Sequence, residues 1–330
     1  MKGNRLADPD LRPYLIFLAT FALLAVVDIE FGRFLTRGTA FSTAQLFATL
    51  APVTLGLALT MMVREYDISV AGMFSLAGCV AVATGAENPV LGIVLAALVG
   101  AIGGFIQALI MIGLRLSSLG VTLGGLLTFA GIAYVMTENR ALNYPNMKVA
   151  LLMNEPLVSI FSIRSLIAIA LFLVAALIMA YTRIGRDVIG MGSDRRAALI
   201  AGVKTDRVLI GVFTVSGTLA ALAGSMLAYS LATASPSGLS DVLVPATAAA
   251  ILGGVSLGGG TGKPLGIAFG VLVLCLLRSG LNAVGASPHV QDIATGTVLI
   301  IVAIADGPAL ARRTKEIRQW LRGSRAPAAS

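Results

Sequence analysis

Arg183-Ile-Gly-Arg-Asp-Val-Ile-Gly-Met-Gly-Ser-Asp-Arg-Arg-Ala-Ala-Leu-Ile-Ala-Gly-Val-Lys-Thr-Asp-Arg207 is a dense cluster of charge between long runs of hydrocarbon. Arg183, Arg186, Arg195, Arg196, Lys204 and Arg207 stand there against Asp187, Asp194 and Asp206. Lipid would leave such charges and any irregular backbone unsatisfied, so the stretch is an aqueous loop. Its middle, Ser193 to Gly202, reads as a short helix. Ser193 or Asp194 can cap its start, and Gly202 can stop it in a left-handed conformation. A solvated loop with incidental helicity is the plainer reading of the charge. A docking element for a soluble partner is the sharper one, because a connector does not need a capped helix.

The flanking sequence fixes the class. Of 330 residues, 57% are hydrophobic and 12% are charged, and mean hydropathy is +0.92; soluble domains carry about 25% charge. An all-α polytopic membrane protein follows. Ten apolar segments are predicted, over 13–31, 44–63, 69–85, 89–114, 119–137, 163–182, 207–232, 242–258, 263–284 and 290–307. At 1.5 Å rise per residue, 69–85 and 242–258 would span about 25 Å, less than a ~30 Å hydrocarbon core. They are expected to be broken or half-buried helices. The run from Tyr14 is expected to be a retained first helix, since no small-residue cleavage site follows it.

Charge excludes several functions and sets an orientation. The net charge of +8 is a topology signal here, and nucleic-acid binding is a poor reading of it. With the N-terminus cytoplasmic, most of the 24 basic residues fall inside, while Arg33, Arg37, Arg140, Lys148 and Arg164 fall outside and Arg278 lies within a segment. The C-terminus is then cytoplasmic too. Cys79 and Cys275 lie in apolar runs, so neither a disulfide framework nor a metal site is supported. His289 has no cluster of metal-binding residues around it.

A weak internal repeat is visible in spacing. Asp67, Pro89 and Ser117-Ser118 punctuate the first half as Asp241, Pro264 and Ser287-Pro288 punctuate the second. The copies are offset by an odd number of segments, so they would run oppositely through the membrane, which is a transporter architecture. One transmembrane domain over 1–308 is expected, with halves at about 44–137 and 207–307 and a cytoplasmic loop at 183–206. A basic cytoplasmic tail over 309–330 would follow, with Trp320 and Leu321 able to touch the membrane surface.

No catalytic set is present. Gly253 to Lys263 is glycine-rich, but it follows no strand, Leu257 stands where a phosphate loop needs its first glycine, and Pro264 stands where it needs a hydroxyl. A tight turn is the better reading. A chain with this many helices and no energy-transducing residues needs its energy from elsewhere.

Four stretches then resemble one family. Arg64-Glu-Tyr-Asp67-Ile-Ser69-Val-Ala-Gly72 looks like the Gly-Ile-Asp-Leu-Ser-Val-Gly signature of ribose-type permease subunits of bacterial ABC sugar importers. Val121-Thr122-Leu-Gly124 is similar to that family's Ala-Thr-Leu-Gly. Gly192 to Val203 resembles its Gly-Gly-Asn-x-x-Ala-Ala-x-x-Ser-Gly-Ile loop. Leu252 to Gly262, with Gly253, Gly254 and Gly259, resembles its Leu-Gly-Gly-Thr-Ser-Leu-x-Gly-Gly-x-Gly. Tyr66, Ala71 and Ser193-Asp194 depart from the pattern.

The resemblance implies a type II ABC importer fold in the bacterial inner membrane. It implies a second permease subunit, identical or not, beside this one. It also implies two ATP-binding subunits inside and a periplasmic sugar-binding protein outside. ATP and Mg would be bound by the ATPase, with no cofactor in this chain. The coupling loop falls on Gly190, Gly192, Ser193, Asp194, Arg195, Arg196, Ala197, Ala198 and Gly202. A pore for a monosaccharide or related polyol should be lined by polar side chains on apolar helices. Gln45, Thr49, Thr54, Gln107, Thr128, Arg278 and Asn282 are the candidates, each of which could equally be a contact between helices. Gly100, Gly103 and Gly104 are read as close-packing positions.

Permeases for nucleosides, autoinducer or branched-chain amino acids are the nearest alternatives. An ion-coupled secondary transporter would need membrane-embedded carboxylates. Asp28, Glu30, Asp67, Asp241, Asp292 and Asp306 instead fall at segment ends.

Overall fold

The computed structural model describes residues 11–237 and 240–306. The chain order is α1 Arg12–Phe31, α2 Arg37–Met62, α3 Val70–Thr84, α4 Pro89–Leu114, α5 Ser118–Met136, β1 Leu142–Asn143, α6 Met147–Asn154, β2 Pro156–Val158, β3 Phe161–Ser162, α7 Ile163–Tyr181, α8 Arg183–Ser193, α9 Arg195–Ile200, α10 Thr205–Leu231, β4 Thr233–Ala234, α11 Leu243–Leu252, α12 Pro264–Ala283 and α13 Pro288–Asp306. One helix overlaps each predicted segment, although α2 begins at Arg37, ahead of the predicted 44–63. Among the described residues, seven helices (α1, α2, α4, α5, α7, α10 and α12) are long and apolar enough to cross a membrane. The predicted 242–258 segment is helical only to Leu252, because the glycine-rich turn begins at Gly253. The predicted tail over 309–330 lies outside the described residues.

Local chemistry sets the helix starts. Asn88 accepts the Leu91 N–H at 3.2 Å, and Pro89 supplies the preset first φ of α4. Ser162 likewise accepts from the Ser165 N–H at the start of α7. Pro264 opens α12 as Pro89 opens α4. At the end of α1, the Asp28 carboxylate gathers the N–H groups of Arg33, Phe34 and Leu35 at 2.5, 2.6 and 2.9 Å.

The described residues up to Ala286 form one unit. Helix α10 runs through it, packed on α2, α3 and α4. The contacts are backbone-close. A Cβ on Gly100 would fall 2.3 Å from the Gly217 carbonyl oxygen, and one on Gly104 would fall 2.1 Å from that of Phe213. These are the approaches that small residues permit when lipid supplies no hydrophobic drive between helices. Helices α1, α5 and α7 bury little of their surface and turn Leu18, Leu23, Leu127, Val135, Leu173 and Leu177 outward.

The predicted long external loop, Glu138–Ser162, is built rather than slack. β1 pairs antiparallel with β4, β2 pairs with β3, and α6 lies between the two ribbons. Tyr144 stacks on Tyr229 of α10 with centroids 4.5 Å apart, and its hydroxyl donates to the Gly85 carbonyl at 2.9 Å.

The second unit, from Ser287, holds α13. The Val290 and Gln291 N–H groups bond to the Ser287 carbonyl at 3.0 and 3.2 Å. The Ser287 hydroxyl lies 2.8 Å from His289 Nε2.

Candidate functional site: the α8–α9 segment and the α4–α5 groove

The charged stretch is two helices, not one helix in a loop. α8 buries Gly185, Val188, Met191 and Gly192, one helical face, and turns its charges to water. α9 follows after a single-residue break at Asp194. Of the two possible caps, the structure uses Asp194, whose carboxylate accepts the Arg196 and Ala197 N–H groups at 2.8 and 3.0 Å. Those two bonds and the nearby Arg64 and Arg196 charges hold the Asp194 carboxyl below the usual carboxylate range. Ser193 instead ends α8.

Gly202 stops α9 at φ +86°. The Gly202 N–H bonds to Leu199 and the Val203 N–H bonds to Ala198, each at 3.0 Å, which is a Schellman closure. Ala198 packs inward. Leu199 and Ile200, 54% and 90% exposed, are apolar side chains presented to water on this short helix.

The four motif stretches, distant in sequence, meet beneath this platform. Arg64 donates to the Ser193 carbonyl at 2.6 Å, and Arg195 lies 3.5 Å from Glu65 and 3.9 Å from Asp206. The Gly260 N–H bonds to the Met62 carbonyl at 2.9 Å. Gly192 fits into that junction, where a Cβ would fall 1.8 Å from the Met62 oxygen. The glycine-rich turn holds Gly254, Gly259 and Gly260 at positive φ, the tight turn its composition predicts. Thr122 donates to the Tyr66 carbonyl at 3.2 Å, and the Tyr66 hydroxyl bonds to that of Thr247 on α11. A cavity of about 430 Å³ remains between Glu65, Arg115, Arg195 and Asp206.

Asp67 leads from the platform into the bundle. It stands before α3, as predicted, but it is 1% exposed. Its Oδ1 accepts the Ser69 N–H and hydroxyl at 3.1 and 2.6 Å, and its Oδ2 accepts the Ser216 hydroxyl of α10 at 2.8 Å. Ser69 in turn accepts from Gln107 Nε2 at 2.9 Å. Gln107 lines a groove of about 570 Å³ between α4 and α5, shared with Gly124, Gly125, Thr128 and Phe129. Its buried Oε1 has no hydrogen-bond partner, a state that costs about 1–3 kcal/mol.

The remaining pore candidates lie on α2 and α12. Gln45 accepts from Arg164 at 2.6 Å, and Thr49 donates back to the Gln45 carbonyl at 3.2 Å. Thr54 is fully buried and donates to the Leu50 carbonyl. Arg278 is half-buried on α12, and Asn282 is exposed one turn on. Gly124 offers open space at its Cβ position, whereas Gly72 is wedged 2.6 Å from the Leu126 oxygen.

Two site residues escaped sequence reasoning. Ser216 is one hydroxyl in a helix of small residues, with nothing local to mark it. Arg164, expected in the external loop, is 4% exposed at the start of α7, where it also donates to Ser230 Oγ at 2.8 Å. Its position within two residues of a capping serine was the available signal.

Residues 39–303 match the family described as branched-chain amino acid transport system / permease component. The autoinducer 2 import system permease protein LsrC of Photorhabdus luminescens is 32% identical over 295 residues, covering 88% of this chain and 87% of that protein. The ribose import permease protein RbsC of Escherichia coli K12 is 28% identical over 299 residues, covering 88% and 92%. No solved structure matches the chain. The match over residues 39–303 takes in all four converging motifs, and the chain belongs to the branched-chain amino acid transport system / permease component family.

Proposed function

We propose that this chain is the membrane-spanning permease subunit of an ATP-driven importer that carries a monosaccharide or related polyol across the bacterial inner membrane. The observation that carries the reading is the α8–α9 platform, where the motif stretches converge and α9 offers Leu199 and Ile200 to water. An ATP-binding subunit docks on α9 from the cytoplasm. Its motion passes through Arg64 and Asp67 into α4 and α10. The names of the ribose and autoinducer 2 relatives support a small hydroxylated solute over an amino acid. The fully buried Asp67 answers to two serines, so its place in the bundle is accounted for without an ion-coupled mechanism.

The finer architecture belongs to the same proposal. Ten crossings are supported by the helix at each predicted segment, with α3 and α11 as short partners inside the bundle. The inverted repeat is supported by those two short helices and by the prolines that open α4 and α12. It is opposed by burial, since Asp67 is enclosed and Asp241 is exposed. Basic residues at the platform end support cytoplasmic termini. A second permease subunit and an external sugar-binding protein complete the assembly.

Co-purification from native membranes tests the reading. Wild type should retain an ATPase, and Ile200→Glu should lose it while keeping its elution profile. The charge belongs at Ile200, because at the buried Ala198 it would disrupt α9 itself. Absence of any ATPase from both proteins in gentle detergent would sink the proposal.

A further inference from the structure

The Gln107 amide is oriented from the backbone outward. The Ser69 N–H, fixed by the chain, donates to Asp67 Oδ1 at 3.1 Å, so this oxygen is an acceptor. The Ser69 hydroxyl lies 2.6 Å from the same oxygen and gives it its one hydrogen. Ser69 Oγ then has only lone pairs left, and only the NH2 side of Gln107 can satisfy it, at 2.9 Å. The carbonyl side must face the other way, toward α5. There Gln107, 5% exposed, holds Oε1 over Gly125, where an added Cβ would fall 2.8 Å from it. That oxygen has no donor.

The groove beside it matches. Thr128 spends its hydroxyl hydrogen on the Gly124 carbonyl at 2.8 Å, so it too presents lone pairs. Phe129 lines the same space with an aromatic ring. The Gln107 and Thr128 oxygens are acceptors and the Ser117 hydroxyl on the same groove can donate, a set that favours a ligand rich in O–H groups. A ring face suits the C–H side of a sugar.

We propose that the α4–α5 groove binds a polyhydroxylated solute, with the Gln107 carbonyl oxygen accepting one of its hydroxyls. Asp67, acting through Ser69, is the positioning residue that keeps this oxygen turned toward α5. Reaching it requires the ligand to part Gln107 from Gly125, so binding and α4–α5 separation are one event. This rests on the permease reading and names where its substrate is held.

The test uses the full-length chain in nanodiscs with Thr128→Cys, whose thiol stands on the groove; native Cys79 and Cys275 are buried. A water-soluble methanethiosulfonate should modify it, and D-ribose should slow the reaction. Gln107→Leu and Ser69→Ala should each raise the half-protecting ribose concentration roughly tenfold. Asp67→Ala should raise it as Ser69→Ala does, and Asp67→Asn, which keeps an acceptor oxygen for the Ser69 hydroxyl, should recover most of the loss. If Gln107→Leu does not fold, Ser69→Ala carries the same comparison with a smaller change in volume.

Two results would overturn the proposal and leave the permease reading standing. One is modification only by a lipid-soluble maleimide, and the other is ribose protection unchanged by Gln107→Leu and Ser69→Ala. Protection by L-leucine and not by ribose would overturn it together with the sugar assignment.

Discussion

The Arg64 guanidinium donates to the Ser193 carbonyl at 2.6 Å, joining the end of α2 to the joint between α8 and α9. Arg64 holds φ +66° to do so, an uncommon conformation for a side chain of its size. Arg64→Ala should therefore lower stability by about 1 kcal/mol and leave the joint open to protease. Limited proteolysis between α8 and α10 measures this, and equal cleavage of variant and wild type would refute the clamp.

Gly190 and Gly192 lie two residues apart on α8 and should respond oppositely to alanine. At Gly192 a Cβ would meet Met62 O at 1.8 Å and Gly260 N at 2.5 Å, both backbone atoms. Gly192→Ala should cost roughly 3 kcal/mol. Gly190 has nothing within 4 Å, and Gly190→Ala should gain about 0.5–1 kcal/mol from helix propensity alone. Melting temperatures in detergent decide it, and similar shifts for both would contradict the packing.

The Asp194 cap has a definite pH sign. Its folded carboxyl titrates below the unfolded value, so its stabilisation is complete above the usual carboxylate range. It is lost as pH falls through the lower, folded value. Hydrogen exchange at the Arg196 and Ala197 amides, corrected for intrinsic rates, should stay slow just below the usual carboxylate range and quicken on further acidification. Asp194→Ala should show the quickened rate at every pH.

Arg164 bridges α2 and α10 through Gln45 and Ser230. Arg164→Met should leave both partners unpaired and destabilise by about 2 kcal/mol. Arg164→Lys, a single point charge without the fork, should recover less than half of that. A melting temperature for Arg164→Lys equal to wild type would show that the fork is immaterial.

How much of this could be read in advance depended on range. The helices were legible because hydrocarbon runs need no partner to declare them. α9 was legible because both of its caps are local. α8 was hidden by interleaving: Arg183, Arg186 and Asp187 alternate with Ile184, Val188, Ile189 and Met191, and three glycines weaken its helix propensity. The position of Asp67 predicts a helix start, and it does serve the Ser69 N–H. Its burial depends on Ser216, 149 residues away, which no local pattern announces.

Helix α10 is an unbroken rod of 27 residues, about 40 Å long. Its first turn follows the Schellman closure of α9, and its last turn carries Tyr229 and the short ribbon to Tyr144. A stiff rod secured at both ends cannot tilt at one surface without tilting at the other. In the proposed assembly, a partner on α9 and one over Tyr144 would therefore share one mechanical coordinate.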